Sequence, residues 1–328
     1  MPVKPRAARA RRPRGVAPLS LRKLQTYSLK SRRSKVSRKD LGRPHVLGAS
    51  FGEFLDSLPR ILGASTLRSL AADILQAHDA GRPIIWGMGA HVIKTGLSPI
   101  LLDLMDRGFV TGLALNGAGI VHDFEMAMAG KTSEDVAATL GAGSFGMARE
   151  TGEILNRAIS RGSRRSLGLG TSVGRELLRL KPKHLDLSLI AGAVRRSIPV
   201  TVHVAIGTDI VHMHPACDGA AVGRASHLDF RVLAAEVARM GGGGVYLNVG
   251  SAVVLPEVFL KALTVARNLG HDVTDITTAN LDFIQSYRPN TNVVQRPTRD
   301  GGRGYSLTGH HELLVPLLAA ALVEGSGL

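Results

Sequence analysis

Three stretches carry side chains whose types and spacing suit proton transfer or the holding of a charged ligand. The first is Gly87-Met88-Gly89-Ala90-His91, with Lys94, Thr95 and Gly96 close behind. Its glycines let backbone approach a phosphate, and the N-terminus of the helix that follows offers unpaired N–H donors. It is not G-x-G-x-x-G, because the third glycine is missing, and no Gly-Lys-Ser/Thr follows to make a P-loop. Tight packing is the competing explanation. The second stretch, Asn116-Gly117-Ala118-Gly119, leads into His122, Asp123 and Glu125. Small residues there let a dinucleotide lie against the backbone, and His122 and Asp123 can do acid–base work or hold a ribose hydroxyl. An Asp N-cap beside a solvated His is the plainer alternative. The third stretch is Gly207-Thr208-Asp209-Ile210-Val211-His212-Met213-His214, followed by Cys217, Asp218 and His227. A strand-end carboxylate near two histidines can bind an amine or shuttle protons. His212 and His214 can also be read as metal ligands, with Asp209, Asp218 or His203 as a third. No H-E-x-x-H or paired-cysteine spacing supports a metal, and ordinary polar packing competes. No spacing ties Cys217 to a base.

The elements that must position these groups alternate. Helices are expected over 50–60 and 65–79, the second capped by Ser65 or Thr66. A strand at 83–86 precedes a helix at 98–108 with Ser98 as its cap and Pro99 at its first position. A strand follows at 111–116, then mostly helix over 134–160, interrupted at 141–146, and a further helix at 175–181. The second half repeats the pattern. Strands are expected at 198–207, in GGGGVYLNVG (241–250) after its glycine turn, and at 275–282. Helices are expected at 226–240, 256–270 and 311–324. Short, fully apolar strands alternating with helices predict an α/β fold: a doubly wound, mostly parallel, Rossmann-like sheet with helices on both faces. In such sheets ligands sit outside the carboxyl ends of the strands, and all three stretches fall there.

The formal charge of +15 is concentrated at the start of the chain. Residues 1–45 hold fifteen Lys/Arg and one acid, Asp40, which leaves 26 basic and 25 acidic residues in 46–328. The organisation expected is a disordered basic tail over 1–23, an arm over 24–45 and one nucleotide-binding domain over 46–328. The tail has too few apolar residues to offset the entropy of ordering. Its early prolines, Pro2, Pro5 and Pro13, argue against an amphipathic transit peptide. A contact with nucleic-acid phosphates is the lesser reading of the tail, because no aromatic is interleaved before Tyr27. With Cys217 the only cysteine, no intramolecular disulfide can form, which fits a reducing compartment. The apolar run at 313–323 is too short to span a bilayer. A soluble, cytoplasmic protein without a membrane partner is expected.

Taken in order, the motifs resemble the deoxyhypusine synthase family. The resemblance spans most of residues 24–324. It rests on the TYSLKSRRSKVS arm, the block at 84–125, G-T-D-x-x-x-x-H at 207–214, VYLNVGSAVV (245–254), DITTANLDF (275–283) and the closing LLVPLLAAALVE. It implies a Rossmann-like sheet, bound NAD, and a homotetramer with active sites at subunit interfaces. The implied reaction oxidises an amine of spermidine and passes the aminobutyl group through an enzyme lysine imine. By the same resemblance the cofactor positions are Gly87, Gly89, Ala90, His91, Thr95, Gly96, Asn116, Gly117, Ala118, Gly119, Gly250, Ser251, Thr278 and Ala279. Asp209 and His214 match the carboxylate and histidine of the amine pocket.

The chain departs from the family where the transfer takes place. The family lysine lies in a Trp-Gly-Lys segment before the last helix. Here the only tryptophan is Trp86, and no lysine follows Lys261. An arginine cannot replace it, because a guanidinium that stays protonated forms no imine. Pro256, Glu257 and Leu260 stand where the family has His-His and Asn, so Glu257 is a candidate for a changed catalytic role. The expectation is an NAD-dependent enzyme that dehydrogenates an amine or polyamine-like small molecule without true deoxyhypusine synthesis. Its candidate catalytic residues are His122, Asp123, Asp209, His212, His214 and Glu257, with no metal. The alternatives are a non-catalytic scaffold that binds a partner, and a metal-dependent hydrolase using His212, His214 and Asp209.

Overall fold

The computed structural model describes residues 15–327. Most of the expected basic tail, residues 1–14, therefore lies outside the described residues. The chain divides into two units, Met1–Lys39 and Asp40–Leu328. Among its described residues the first unit has no strand or α-helix. It contains a 3-10 turn, Leu29–Ser31, whose N-cap Ser28 accepts a hydrogen bond from the Lys30 N–H.

The second unit is built on six strands: β1 (Ile84–Met88), β2 (Gly112–Asn116), β3 (Val200–His203), β4 (Val245–Val249), β5 (Ile276–Asp282) and β6 (Gly302–Thr308). Every pairing is parallel, and the order is β3-β2-β1-β4-β5-β6. The order reverses between β1 and β4, which makes that seam the topological switch point. In register, Met88 lies beside Leu115 on one side and Val249 on the other. The turns that leave β1, β2 and β4 are therefore level and side by side.

Strands β1, β2 and β4 read as largely apolar runs because both faces are covered. Successive residues feed opposite cores. Trp86 and Met88 join Leu70, Ile74, Leu318 and Leu322 of the helices Leu62–Asp79 and His311–Ser326. Ile85 and Tyr246 join Leu233, Phe259 and Leu263 of the helices Gly219–Ala238 and Val254–Asn268. Trp86 also donates its indole N–H to the Phe109 carbonyl at 3.0 Å, so the buried ring leaves no donor unpaired. No helix is long and apolar enough to cross a membrane among the described residues.

Several element ends differ from the sequence expectation. The helix expected at 65–79 starts at Leu62 with Ile61 as its N-cap, so neither Ser65 nor Thr66 caps it. Ser98 lies inside the first turn of the helix Ser98–Asp106, and Leu97 is the cap. The helix Gly219–Ala238 starts seven residues before the expected 226, because Asp218 caps it by accepting from the Ala221 N–H at 3.0 Å. Asp218 is thus committed to a helix end. Strand β3 stops at His203 rather than 207, leaving Thr208 and Asp209 in the loop beyond it.

The helix Leu189–Arg195 and strand β6 were absent from the pattern. The sequence of β6, GRGYSLT, has no apolar alternation, and the strand is largely exposed. Leu307 joins the core with Tyr305 packed against it, and polar contacts add to this attachment. Buried Asp73 of the helix Leu62–Asp79 accepts from Tyr305 at 3.0 Å and from Thr277 of β5 at 3.1 Å, and pairs with Arg303.

Candidate functional site

Two cavities open on the carboxyl edge of the sheet, one on each side of the switch point. The first, about 260 Å³, lies beyond β1, β2 and β3 and is lined by Lys94, His122, Glu125, Glu134, Thr208 and Asp209, among others. Asn116 ends β2 and caps the helix Gly117–Ala129 by accepting from the Gly119 N–H at 3.0 Å. That cap turns the chain from strand to helix within one residue and points the first turn at the cavity.

Asp209 folds back over this helix start. Its carboxylate occupies the space a Cβ on Gly117 would need, so only glycine fits at 117. Asp209 is buried, and one of its oxygens, Oδ2, has no hydrogen-bond partner. Burial pushes its carboxyl above the ordinary range, and the nearby His212 acts in the opposite direction. An unpaired buried carboxylate oxygen costs about 1–3 kcal/mol or more. The positive end of the helix dipole offsets part of that cost, and a cation or N–H donor in the cavity would offset more.

His122 and Glu125 stand three residues apart on the helix and so share a face. His122 Nδ1 lies 2.7 Å from Thr132 Oγ1. The Thr132 hydroxyl donates to Glu125 Oε2 at 2.6 Å, and Thr151 donates to Glu125 Oε1 at 3.2 Å. Burial lowers the His122 pKa, and the Lys94 ammonium lowers it further against the pull of Glu125. His122 is therefore a neutral base near pH 7.

Asp123, one residue from His122, points about 100° away around the helix. It is wholly buried and accepts from Ser188 Oγ, from the Leu189 N–H at 2.7 Å and from the Ile190 N–H at 3.4 Å. It thus caps the helix Leu189–Arg195 and does not reach the cavity. Burial raises its carboxyl to about 6, and those donors act in the opposite direction.

The remaining catalytic candidates are dispersed. His212 lies beside Asp209, with Nδ1 4.0 Å from Oδ2, and accepts from the Gly207 N–H at 3.2 Å. His214 accepts from the Ala216 N–H at 3.1 Å, and its ring fills the space beside Gly152. His203 is buried against Thr201 at 3.0 Å, and burial pushes its pKa down to about 4. No cluster of three or more His, Cys, Asp or Glu able to hold a metal occurs among the described residues. The hydrolase reading thus lacks a ligand set. Glu257 lines neither carboxyl-edge cavity: it pairs with Lys261 and Arg288 and accepts from Asn292.

The second cavity, about 350 Å³, lies beyond β4, β5 and β6 and is lined by His91, Gly250, Asp282, Phe283, His310 and His311, among others. Phe283 is 58% exposed, and the His310 ring stacks on it at 4.6 Å and 25°. His311 is buried, with Nε2 3.2 Å from the Leu281 carbonyl, so that nitrogen carries a hydrogen. Its ring occupies the space beside Gly250, whose φ is +65°.

The glycine-turn positions divide between packing and the edge. Gly87 lies under the Tyr246 ring, and a Cβ on Gly89 would strike the Gly250 carbonyl. Both serve the seam between β1 and β4. Ala90 and Ser251 are buried, and Ser251 Oγ accepts from the Leu255 N–H at 3.1 Å. Thr95 donates to the His91 carbonyl at 3.0 Å. Thr278 and Ala279 are fully buried in the middle of β5, and Thr278 donates to the Val293 carbonyl at 2.6 Å. Neither reaches the edge. Gly96 is beside open space, His91 and Gly250 line the second cavity and Ala118 the first, with Asn116, Gly117 and Gly119 forming the helix start.

A hollow of about 400 Å³ at the amino ends of the strands contains Arg196 and Arg239, already paired with Asp106 and Glu236. It offers no unpaired buried group, unlike the carboxyl edge.

No family model matches the chain, and no curated protein matches it. Solved structures do. A conserved putative LOR/SDH protein from Methanococcus maripaludis S2 is 15% identical over 82% of this chain and 71% of that chain, with TM-score 0.51. A complex of a mutant AgrE with L-arginine is 19% identical over 86% of this chain and 35% of that chain, with TM-score 0.51. AgrE is also matched as its ternary complex with ornithine and NAD+, with TM-score 0.49. A putative deoxyhypusine synthase from Entamoeba histolytica is 14% identical over 87% of this chain and 97% of that chain, with TM-score 0.45. The chain spans about a third of the length of the ArgZ and AgrE chains it matches. At these identities the likeness is one of fold. The Rossmann-like sheet implied by the deoxyhypusine synthase resemblance is the sheet this chain has.

Proposed function

We propose that the second unit is an NAD-dependent enzyme that dehydrogenates a small amine. The observation that carries this reading is Asp209, a buried carboxylate with an unpartnered oxygen, lining the same cavity as the neutral base His122. A cationic amine supplies the donor that Asp209 lacks. His122 takes the proton that leaves nitrogen as the amine is oxidised.

The cofactor fits the edge only in part, which narrows the residue set. Gly87, Gly89, Thr278 and Ala279 are occupied by the protein's own packing. The turn and helix start at Asn116, Gly117, Ala118 and Gly119 would take a phosphate on backbone N–H groups. His91, Gly96 and Gly250 would border the cofactor where it crosses the switch point. Asp282 and the Phe283–His310 stack suit a ribose and an aromatic base. Bound there, the nicotinamide supplies the hydride acceptor. Asp209 orients the substrate by charge, and Val121, Ile210 and Phe145 form the apolar wall that limits water. Oxidation rather than group transfer suits a chain with no lysine after Lys261.

Isothermal titration of the full chain with NAD tests the reading, followed by amine-dependent cofactor reduction monitored by absorbance. Binding in the micromolar to millimolar range is expected, with diamines and polyamines favoured over neutral alcohols. No heat at millimolar NAD would sink the proposal. We also propose a homotetramer, which light scattering on the same sample checks.

A further inference from the structure

A connected line of hydrogen bonds leads to two of the cavity-lining residues, Glu125 and His122. It starts at Thr151, passes through Glu125 and Thr132, and ends on His122 Nδ1, with spacings of 3.2, 2.6 and 2.7 Å. A threonine hydroxyl has one hydrogen. That of Thr132 is committed to Glu125, so only an N–H on His122 Nδ1 can complete the remaining contact. The Thr151 hydroxyl occupies the other Glu125 oxygen and holds the carboxylate in place. We infer that Glu125 and Thr132 are positioning residues that hold His122 as its Nδ1–H tautomer, so that Nε2 presents a lone pair to the cavity.

This inference rests on the proposed dehydrogenase reading for its purpose, though not for its geometry. Nε2 makes no hydrogen bond to protein among the described residues, and His122 lines the cavity. The charged groups facing it are Lys94 from the short helix His91–Lys94, Glu125 from its own helix, and Glu134 and Asp209 across the cavity. Lys94 and burial keep the ring neutral, the state in which Nε2 accepts a proton. With the opposite tautomer Nε2 would carry a hydrogen and could accept nothing.

Thr132 belongs to the segment that follows the helix Gly117–Ala129, and that segment also supplies Ser133, Glu134, Val136 and Phe145 to the cavity. Glu134 accepts from the Gly146 N–H at 2.9 Å, closing the segment on itself. The covering segment therefore sets the protonation pattern of the base beneath it.

Nitrogen-15 NMR of the histidine side chains in the full chain tests the inference. The wild type is expected to show His122 as the Nδ1–H tautomer near neutral pH. Thr132→Ser keeps that signature, whereas Thr132→Val and Glu125→Leu lose it while near-ultraviolet circular dichroism still reports a folded chain. In turnover, Thr132→Val is expected to lower kcat about a hundredfold with KM little changed, and Thr132→Ser to restore it. An Nε2–H wild-type ring, or an Nδ1–H ring in folded Thr132→Val, overturns the inference. NAD titration of the same samples separates the two ideas, because absent NAD binding with an intact Nδ1–H signature counts only against the dehydrogenase.

Discussion

The two halves of the carboxyl edge share one sheet and use it differently. Beyond β1–β3 the polar groups are drawn inward: Asp209 is 7% exposed, and Glu125 is held by two threonines. Beyond β4–β6 the surface is aromatic and open, with Phe283 58% exposed and a histidine stacked on it. Burial raises the cost of an unpaired charge, so the first half is built to complete a charge and move a proton. An exposed flat ring loses little by waiting for another ring, so the second half is built to hold one. Under the proposed function, the chemistry would fall on one side of the switch point and the grip on the other.

The largest expected effect lies at the seam. In Gly89→Val the new side chain meets the Gly250 carbonyl at the seam, where the Gly89 N–H donates to the Val249 carbonyl at 3.0 Å. We expect a loss of about 3 kcal/mol or more in denaturant unfolding, or no folded protein. Gly96 has a φ of +80° but open space around it, so Gly96→Ala should cost only about 1–2 kcal/mol. Equal losses at the two positions would mean that the halves are not locked at Gly89.

The next contrast sits in adjacent residues. Asp123→Asn leaves backbone donors facing an amide, and should lose about 1–3 kcal/mol of stability with little change in turnover per folded molecule. His122→Gln should do the reverse, with near wild-type stability and kcat reduced about a hundredfold or more. Melting curves and kinetics on both variants decide it, and a stability loss in His122→Gln alone would erase the distinction.

Stability should also depend on pH through two buried carboxyls. Burial raises Asp123 to about 6 and Asp229 to about 7, both from 3.8. The unfolded chain then binds fewer protons than the folded one between these values. Stability is therefore expected to fall as pH rises from about 4 to about 7, and to level off above. Asp229 accepts from the Gly170 N–H at 3.0 Å and the Val202 N–H at 2.8 Å. Asp229→Asn should flatten the slope and lower stability. Denaturant midpoints across that range check the sign, and a rise with pH would refute it.

The smallest effect belongs to the open half. Phe283→Ala should leave stability within about 0.5 kcal/mol, because the ring is exposed. It should weaken NAD binding about three- to tenfold, the loss expected from one stacking contact. Unchanged affinity would remove the β4–β6 cavity from the cofactor site.

Most of the sheet was legible because strands such as IIWGM and VYLNV are largely apolar runs between glycine turns and helices, as burial on both faces demands. Strand β6 was not, because Leu307 is its one buried residue and Arg303 and Tyr305 hold it through a carboxylate. In the site, Asp209 and His122 were visible as ionisable groups after glycine turns. Adjacency suggested the pair His122 and Asp123, whereas helix geometry selects His122 and Glu125. That i, i+3 spacing was present in the sequence and could have found Glu125. Glu134 reaches the cavity, and Thr132 and Thr151 reach Glu125, through loop and helix packing that no local spacing encodes. Thr278 and Ala279 came from the family resemblance alone, and they lie buried in the middle of β5, which ends at Asp282.

The unpaired oxygen of Asp209 gives the cavity a threshold as well as a shape. With no visitor, burial holds the Asp209 carboxyl above its ordinary range, and His212 acts in the opposite direction. A cation entering beside it would favour the charged form, so occupancy of the cavity and the charge on Asp209 are linked.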